Sequence, residues 1–590
     1  MMKNFTAFLI LVLFAATGLA QHDNPLQQPN IVLILIDDAG IMDLGAYGGE
    51  AATPNIDALA QRGMVFTNYH SSPVCAPSRA MLLTGSDSHL TGVPNIPEFL
   101  TEEQQQLPGY QGILNDKVKT LATHLKAAGY NTFMTGKWHL GHTETTLPSN
   151  RGFDRTFILD ASGADNYVAK GYLPIKATAE WHQDGKVVSL PKDFYSSKNY
   201  VDKMMEFMNE AEDKSKPFFA FLSFQAVHIP VQAPREFVEK YRETYKDGWL
   251  ALREKRFEKA KQLGLVPETM TMGDMLPVFR KWEGLSKAEQ QEAANDMAVH
   301  AAMLEAMDYH LGRYIVYLKE QGLYDNTVFV ITSDNGPEGG YPQGVAIFNP
   351  WMKWQGYHRD QNRLGEKNYY GVIGTEFASA TASPFAFFKT YTGEGGLRVP
   401  FIMSGKHIPQ GRIAAFTMVT DVTPTLLEIA GLDLGTLQSS VPFTGKSLHP
   451  LLRGEAQRIY APDEPIGIES AGSAALFKGD WKIVKNAKPH GDLIWRLYNI
   501  AADPGETRDL STENPRLFAE MMSDYEAYAR KCGVIDLGVD YEAHKVVLGK
   551  VLKMWANAVL PWLAGFILLF TGWRYWRRTQ RGLKGDFKNQ

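Results

Sequence analysis

Four stretches of the chain share one pattern, an apolar β-prone run that stops abruptly at polar residues. Ile31-Val32-Leu33-Ile34-Leu35-Ile36 ends at Asp37-Asp38, Thr132 to Thr135 leads to Gly136-Lys137-Trp138-His139, Phe218 to Phe224 precedes His228-Ile229-Pro230, and Thr327 to Thr332 runs into Ser333-Asp334-Asn335-Gly336. A strand with no polar position on either face is covered on both faces, as in a parallel sheet between two layers. Met64 to Thr67 reads as a further strand. Between the strands the apolar period changes to that of a helix. Thr53-Pro54 marks a helix start with Ile56 and Leu59 inward and Gly63 as the stop, and Leu121 and Leu125 repeat before Gly129. Helix, strand and a polar cluster at the strand's carboxyl end is the plan of an open α/β sheet, in which ligands bind beyond those ends.

Toward the C-terminus the texture shifts. ALFKGDWKIVK from Ala475 and WRLYNI read as short antiparallel strands, and a helix is expected over 514–530. The fold class expected is therefore α/β, a large mixed and mostly parallel sheet sandwiched by helices, with a smaller C-terminal α+β subdomain. The stretch 337–383 reads as a long loop rich in Gly, Asn and aromatics, including Tyr341, Trp351, Trp354, Tyr357, Tyr369 and Tyr370. Loops of that length often act as lids, and the aromatics suit either packing of the loop itself or a planar, sugar or steroid-like group.

Both chain ends are apolar. Lys3, the run Phe8 to Ala16 and Gly18-Leu19-Ala20 have the form of a secretory signal peptide. Met554 to Trp573 carries no charged residue, long enough to span a bilayer core, and Arg574, Arg577, Arg578, Arg581 and Lys584 follow it. Pro561 within the run leaves a buried or interfacial helix as the other reading. The expected division is signal peptide 1–20, a large α/β domain 28–460, C-terminal subdomain 461–535, juxtamembrane linker 536–553, transmembrane helix 554–573 and cytoplasmic tail 574–590. The body would then lie in the periplasm, tethered to the bacterial inner membrane by one helix.

Net charge is −5 and the isoelectric point about 6.3 over 590 residues, with no basic cluster in the body, which argues against a nucleic-acid partner. Only Cys75 and Cys532 are present, and the one N-x-[ST] acceptor, Asn4, falls in the expected signal peptide. An exported chain of this kind fits a bacterium.

Asp37, Asp38, Asp334 and Asn335 offer oxygen donors only, which suits a hard divalent ion, Ca²⁺ or Mg²⁺, and not zinc. Strand-end pairs of this type also serve as caps and turns. Lys137 and His139 are two apart and share a face of an extended segment. Cys75 sits where a buried helix begins, a place that favours an anion, although a lone cysteine is as often a small core residue.

The segment CAPSRAMLLTG contains Cys75, Pro77, Ser78, Arg79, Leu82, Thr84 and Gly85 at every fixed position of the pattern C-x-P-S-R-x-x-L-x-T-G. GYNTFMTGKWH, ending at His139, resembles the second sulfatase signature. SFQAVHIPVQAP carries His228, and FKTYTGEGGLRVP carries Lys389. Over roughly residues 28–535 the chain resembles the bacterial arylsulfatase branch of the alkaline-phosphatase-like superfamily. The resemblance implies a sulfatase that hydrolyses sulfate monoesters, with aryl sulfates as the expected substrates, through formylglycine made from Cys75 by a formylglycine-generating enzyme. It further implies one divalent metal, Ca²⁺ before Mg²⁺, on Asp37, Asp38, Asp334 and Asn335. Arg79 would orient the hydrated aldehyde, Lys137 and Lys389 would hold sulfate oxygens, His139 would move the proton in the second step, and His228 would protonate the leaving oxygen. His70, His89 and His142 are expected to be structural. The membrane tail and the insertion 348–367 depart from the family pattern. A phosphate mono- or diester hydrolase of the same superfamily and a membrane-tethered binding protein with a dead site are the alternatives.

Overall fold

The structure, a computed structural model, describes residues 28–176, 178–340, 345, 347–437 and 439–586, with side chains as far as 578 at the C-terminal end. The expected signal peptide and Tyr341 lie outside the described residues.

Ten strands form one sheet: β1 (Asn30–Ile36), β2 (Met64–Phe66), β3 (Asn131–Lys137), β4 (Arg155–Leu159), β5 (Trp181–Gln183), β6 (Lys186–Val187), β7 (Phe218–Ser223), β8 (Thr327–Ser333), β9 (Phe401–Gly405) and β10 (Gly411–Ile413). Their order is β10-β2-β9-β8-β1-β7-β3-β4-β5-β6. The run from β8 to β4 is parallel throughout. β9 is antiparallel to both its neighbours, and β5 and β6 close the far edge antiparallel.

The continuous apolar run of β1 has a direct explanation. Val32, Ile34 and Ile36 pack into one core cluster with Met204 and Met303, while Ile31, Leu33 and Leu35 pack into a second with Leu82 and Leu121. Each such side chain contributes roughly 1.5–3 kcal/mol by burial, which holds helices on both faces. Because β8, β1, β7 and β3 are consecutive neighbours, the four polar clusters emerge side by side at one edge of the sheet.

Helix α1 (Cys75–Thr84) is buried along its whole length. Ser78 Oγ accepts from Ser72 N at 2.8 Å and donates to Ser72 O at 3.1 Å, tying down the chain just before the helix. Gly85 ends it with φ 67° and a bond from its N–H to Met81 O. At the expected start at Thr53 the helix does form (Pro54–Gln61), but the Thr53 hydroxyl donates to Asp57 and does not cap it.

The expected long loop 337–383 is more ordered than its composition suggests. It contains α2 (Phe348–Trp354) and α3 (Gly374–Thr381). Trp351, Tyr357 and Tyr370 pack on one another in a separate cluster with Phe348, and Tyr369 is buried in the main core. Trp354 alone of the described aromatics named for this stretch is exposed, at 75%. Their packing with each other accounts for the order.

The C-terminal subdomain is an antiparallel sheet of β11 (Pro465–Ser470), β12 (Ser473–Lys478), β13 (Trp481–Lys485) and β14 (Arg496–Asn499), covered by α4 (Pro515–Cys532). It starts before Ala475 because Pro465 and Gly467 stand inside β11, where they read as turn residues; Gly467 leaves room for the Tyr528 ring. Helix α5 (Ala543–Asp586) runs unbroken through Pro561. The section Ala543–Arg578 is long and apolar enough to cross a membrane, and its apolar shaft is exposed.

Candidate active site

Asp37 and Asp38 follow β1 directly, where an extended chain would send them to opposite faces. Asp38 instead adopts a left-handed backbone, φ 66°, and so does His139 at the end of β3, φ 58°. Such conformations cost a non-glycine residue about 1–2 kcal/mol each. Hydrogen bonds from the neighbouring strand ends hold the turn: Asp37 N to Ala226 O at 2.7 Å, Asp38 N to Asp334 Oδ1 at 3.2 Å, and Ala39 N to Ser333 Oγ at 2.9 Å. Gly136 permits the close approach of β3 to β7, since a side chain there would strike the Ser223 carbonyl.

All the expected residues converge. One ligand atom from each of Asp37, Asp38, Asp334 and Cys75 lies within 4.8 Å of the others. Lys137 Nζ donates to Asp37 Oδ2 at 2.7 Å, and Lys389 Nζ lies 2.8 and 2.9 Å from the two Asp38 oxygens. Cys75 Sγ is 3.8 Å from Asp38 Oδ1. Asn335 Nδ2 donates to Asp38 Oδ1 at 2.6 Å and to Gly336 O at 2.9 Å. His228 Nε2 is 3.8 Å from Asp38 Oδ2, and its Nδ1 sits 2.6 Å from Ile229 O.

Arg79 is held by carboxylate, carbonyl and hydroxyl oxygens. Its Nε and Nη2 reach Asp334 Oδ2 at 2.9 and 2.7 Å, and Nη1 donates to Lys137 O and to Ser223 Oγ at 2.8 and 2.6 Å. It thus ties β8, β3 and β7 together behind Cys75.

The donor set fits a hard cation. Asp37 Oδ1 and Asn335 Oδ1 are buried and have no hydrogen-bond partner among the described residues. Desolvation, then the Asp334 charge, pushes the Asp37 carboxyl well above the usual range despite Lys137. Buried carboxylates with orphan oxygens and no soft donor but one thiol suit Ca²⁺ or Mg²⁺. Three aspartates, with Glu338 on Lys389, face Arg79, Lys137 and Lys389, so a dication would balance the charge of a bound sulfate monoester and leave the centre close to neutral.

Burial also sets the titration of Cys75 and the two histidines. Desolvation raises the Cys75 thiol well above its ordinary value, outweighing Lys137 and Lys389. His228 is lowered, first by burial and then by the two lysines. Burial brings His139 down to about 4 even though its Nε2 lies 3.5 Å from Glu98 Oε2. Burial thus favours the neutral form of both rings.

Three participants carry no sequence signal. Glu98, on a segment outside any motif, faces His139 and accepts from Ser162 Oγ at 2.8 Å; burial raises its carboxyl, but the His139 and Ser162 contacts bring it to about 2. Ser223 is simply the last residue of an apolar strand. Glu338 lies 2.9 Å from Lys389 Nζ, on the chain just past Asn335.

The EGG turn acts at one remove. Glu394 is buried against His70 at 3.0 Å and Lys482 at 2.8 Å, and Lys482 also meets Glu506 at 2.7 Å. Gly395 and Gly396 let this turn lie against the backbone of Phe387 and Tyr391, which flank Lys389. His70 and His89 are buried in carboxylate contacts away from Cys75, and His142 is exposed.

Known proteins match the chain over most of its length. Residues 29–432 match the family model described as Sulfatase. An uncharacterised sulfatase of Schizosaccharomyces pombe is 33% identical over 552 residues, covering 89% of this chain and 98% of its own. The arylsulfatase of Klebsiella aerogenes is 34% identical over 441 residues, 73% of this chain and 92% of its own. The solved structure of Ps i-CgsB in complex with k-i-k-neocarrahexaose matches with a TM-score of 0.61 at 25% identity, covering 90% of this chain and 97% of that one.

Proposed function

Because this chain belongs to the sulfatase family of sulfuric ester hydrolases, we propose that it cleaves sulfate monoesters, aryl sulfates among them, with Cys75 in its formylglycine form. The environment of Cys75 carries this reading. A thiol offers sulfur one attacking group and no second hydroxyl through which to release sulfate, and burial among carboxylates raises its pKa besides. As hydrated formylglycine, position 75 would supply two uncharged hydroxyls, one to attack sulfur and one to expel sulfate by re-forming the aldehyde. A dication on Asp37, Asp38, Asp334 and Asn335 would supply Lewis-acid polarisation of the sulfate oxygens and lower the pKa of a hydroxyl beside it.

The remaining steps belong to the chain's own groups. Lys137 and Lys389 provide fixed positive charge for sulfate oxygens. Arg79 is a positioning residue, since its hydrogen bonds go to Asp334, Ser223 and the Lys137 carbonyl. His139, neutral and facing Glu98, is suited to accept a proton from the hydroxyl at position 75. His228 donates Nδ1–H to Ile229 O, which leaves Nε2 facing the site; a bound sulfate's negative charge favours its protonation, and it then delivers that proton to the leaving oxygen.

We further place the catalytic body, 28–460 with 461–535, on the periplasmic face of a bacterial inner membrane, held by 554–573 with 574–590 in the cytoplasm. The arginines directly after the apolar segment support this orientation. A formylglycine-generating enzyme would act on Cys75 before the site is complete. The test is turnover of an aryl sulfate against an aryl phosphodiester by metal-loaded, aldehyde-bearing protein. Preference for the sulfate is expected, and preference for the phosphodiester would overturn the reading.

A further inference from the structure

From Cys75 the catalytic pocket widens into a cavity of about 440 Å³, and part of its wall is the base of α5. Ala543, Val547 and Val551 recur at four-residue spacing with Leu548 beside them, so one apolar stripe of the helix faces the cavity. Trp555, the next residue of that stripe, packs on the cluster containing Tyr172, Phe348 and Tyr370. Polar straps fix the arrangement: Tyr541 OH donates to Phe99 O at 3.1 Å and Lys550 Nζ to Pro97 O at 2.7 Å. These two carbonyls flank Glu98, the residue facing His139.

The same helix becomes the charge-free segment 554–573 three residues after Val551, an axial rise of about 5 Å, comparable to a headgroup layer. On the cavity's other walls stand Ile96, Phe99, Leu173 and Phe348, with Lys488, His490 and His544 among them, and apolar surface predominates. A sugar seated there would surrender water from its hydroxyls to an aliphatic and aromatic surface. An apolar aglycone would lose nothing of the kind.

We propose that this cavity is an aglycone subsite for amphiphilic sulfate monoesters, sulfated apolar alcohols or phenols that partition into the lipid leaflet and reach Cys75 along α5. The proposal rests on the sulfatase reading of the same site and narrows its substrate class. Membrane insertion and substrate choice are thereby linked in one helix.

The experiment uses the full-length, metal-loaded, aldehyde-bearing protein in phosphatidylethanolamine–phosphatidylglycerol vesicles, with 4-alkylphenyl sulfates from methyl to octyl and a sulfated hexasaccharide. Each methylene seated against the wall is worth about fourfold in kcat/KM, so with about three to four of the methylenes that octyl adds seated there the octyl ester should exceed the methyl ester by about 100-fold. Partition into vesicles alone would also favour longer chains, and Leu548→Glu separates the two causes. That variant should cut the octyl-to-methyl ratio about tenfold, and Leu548→Met should restore it. A flat series, a hexasaccharide preferred to every alkylphenyl ester, or a ratio unmoved by Leu548→Glu overturns the subsite while leaving sulfatase activity standing. Absence of turnover on every ester overturns both readings.

Discussion

Replacing His89 by glutamine should weaken the junction between the C-terminal sheet and the segment after α1, by an amount that depends on pH. The buried ring has Nδ1 3.1 Å from Asp87 Oδ1 and Nε2 3.0 Å from Glu469 Oε2 on β11, and Tyr528 of α4 donates to the other Asp87 oxygen at 2.9 Å. Burial alone would lower this imidazole, but the two carboxylates overcome it and raise it to about 9. Against an unfolded value near 6.5, that gap corresponds to about 3 kcal/mol. The proton is held more tightly in the folded state, so the stabilisation is complete below about pH 6.5 and is lost as pH rises through about 9. Glutamine keeps hydrogen-bonding capacity without the charge and leaves two carboxylates buried together. Urea unfolding in detergent, followed by tryptophan fluorescence, should show the variant less stable by about 3 kcal/mol at pH 6, with the difference shrinking toward pH 9. A difference that stays constant from pH 6 to 9, or one below about 1 kcal/mol at pH 6, would refute the assignment of a shared charge to this contact.

Three further outcomes bear on the active site. Cys75→Ala should abolish sulfate-ester turnover while circular dichroism and the unfolding midpoint stay near those of the parent, because the side chain makes only one weak polar contact. Asp334→Ala should lower bound Ca²⁺ measured by elemental analysis and also destabilise the fold by about 3–5 kcal/mol, since it strands the buried Arg79 guanidinium. Glu98→Gln should lower kcat by about 10- to 100-fold with little change in KM, because it removes the carboxylate that faces His139 without touching Lys137 and Lys389, the lysines proposed to hold sulfate; an equal rise in KM would point to substrate binding instead.

Much of this fold is legible in hydrophobic pattern because a strand buried on two faces admits few polar residues before its carboxyl end. β1, β3, β7 and β8 therefore announce themselves, and the polar residues at their ends stand out against the apolar runs. Short edge strands such as Lys186–Val187 are exposed and carry no such constraint. β11 is hidden by Pro465 and Gly467, whose local meaning is a turn, although here the glycine makes room for Tyr528. The stretch 337–383 misleads for a related reason: aromatics that seem spare along the chain are satisfied by one another once α2 folds back.

At the site, residues inside dense motifs are readable, and residues that act on those motifs from elsewhere are not. Glu98 is an ordinary loop glutamate until the structure sets it against His139. Ser223 is one hydroxyl at the end of an apolar strand, yet it fixes Arg79. Arg79 itself is recognisable from its motif, but its bonding to Asp334 and the Lys137 carbonyl depends on the adjacency of β8, β7 and β3, which no local pattern encodes.

The central claim is that the group at position 75 acts as an aldehyde hydrate and not as a thiol. Mass spectrometry of the peptide spanning residues 72–79, taken from the same preparation that is assayed for aryl sulfate turnover, tests it most directly. Turnover should scale with the fraction of peptide carrying the aldehyde mass and reach background where only cysteine is found. Full turnover by metal-loaded protein carrying only the cysteine thiol would contradict it.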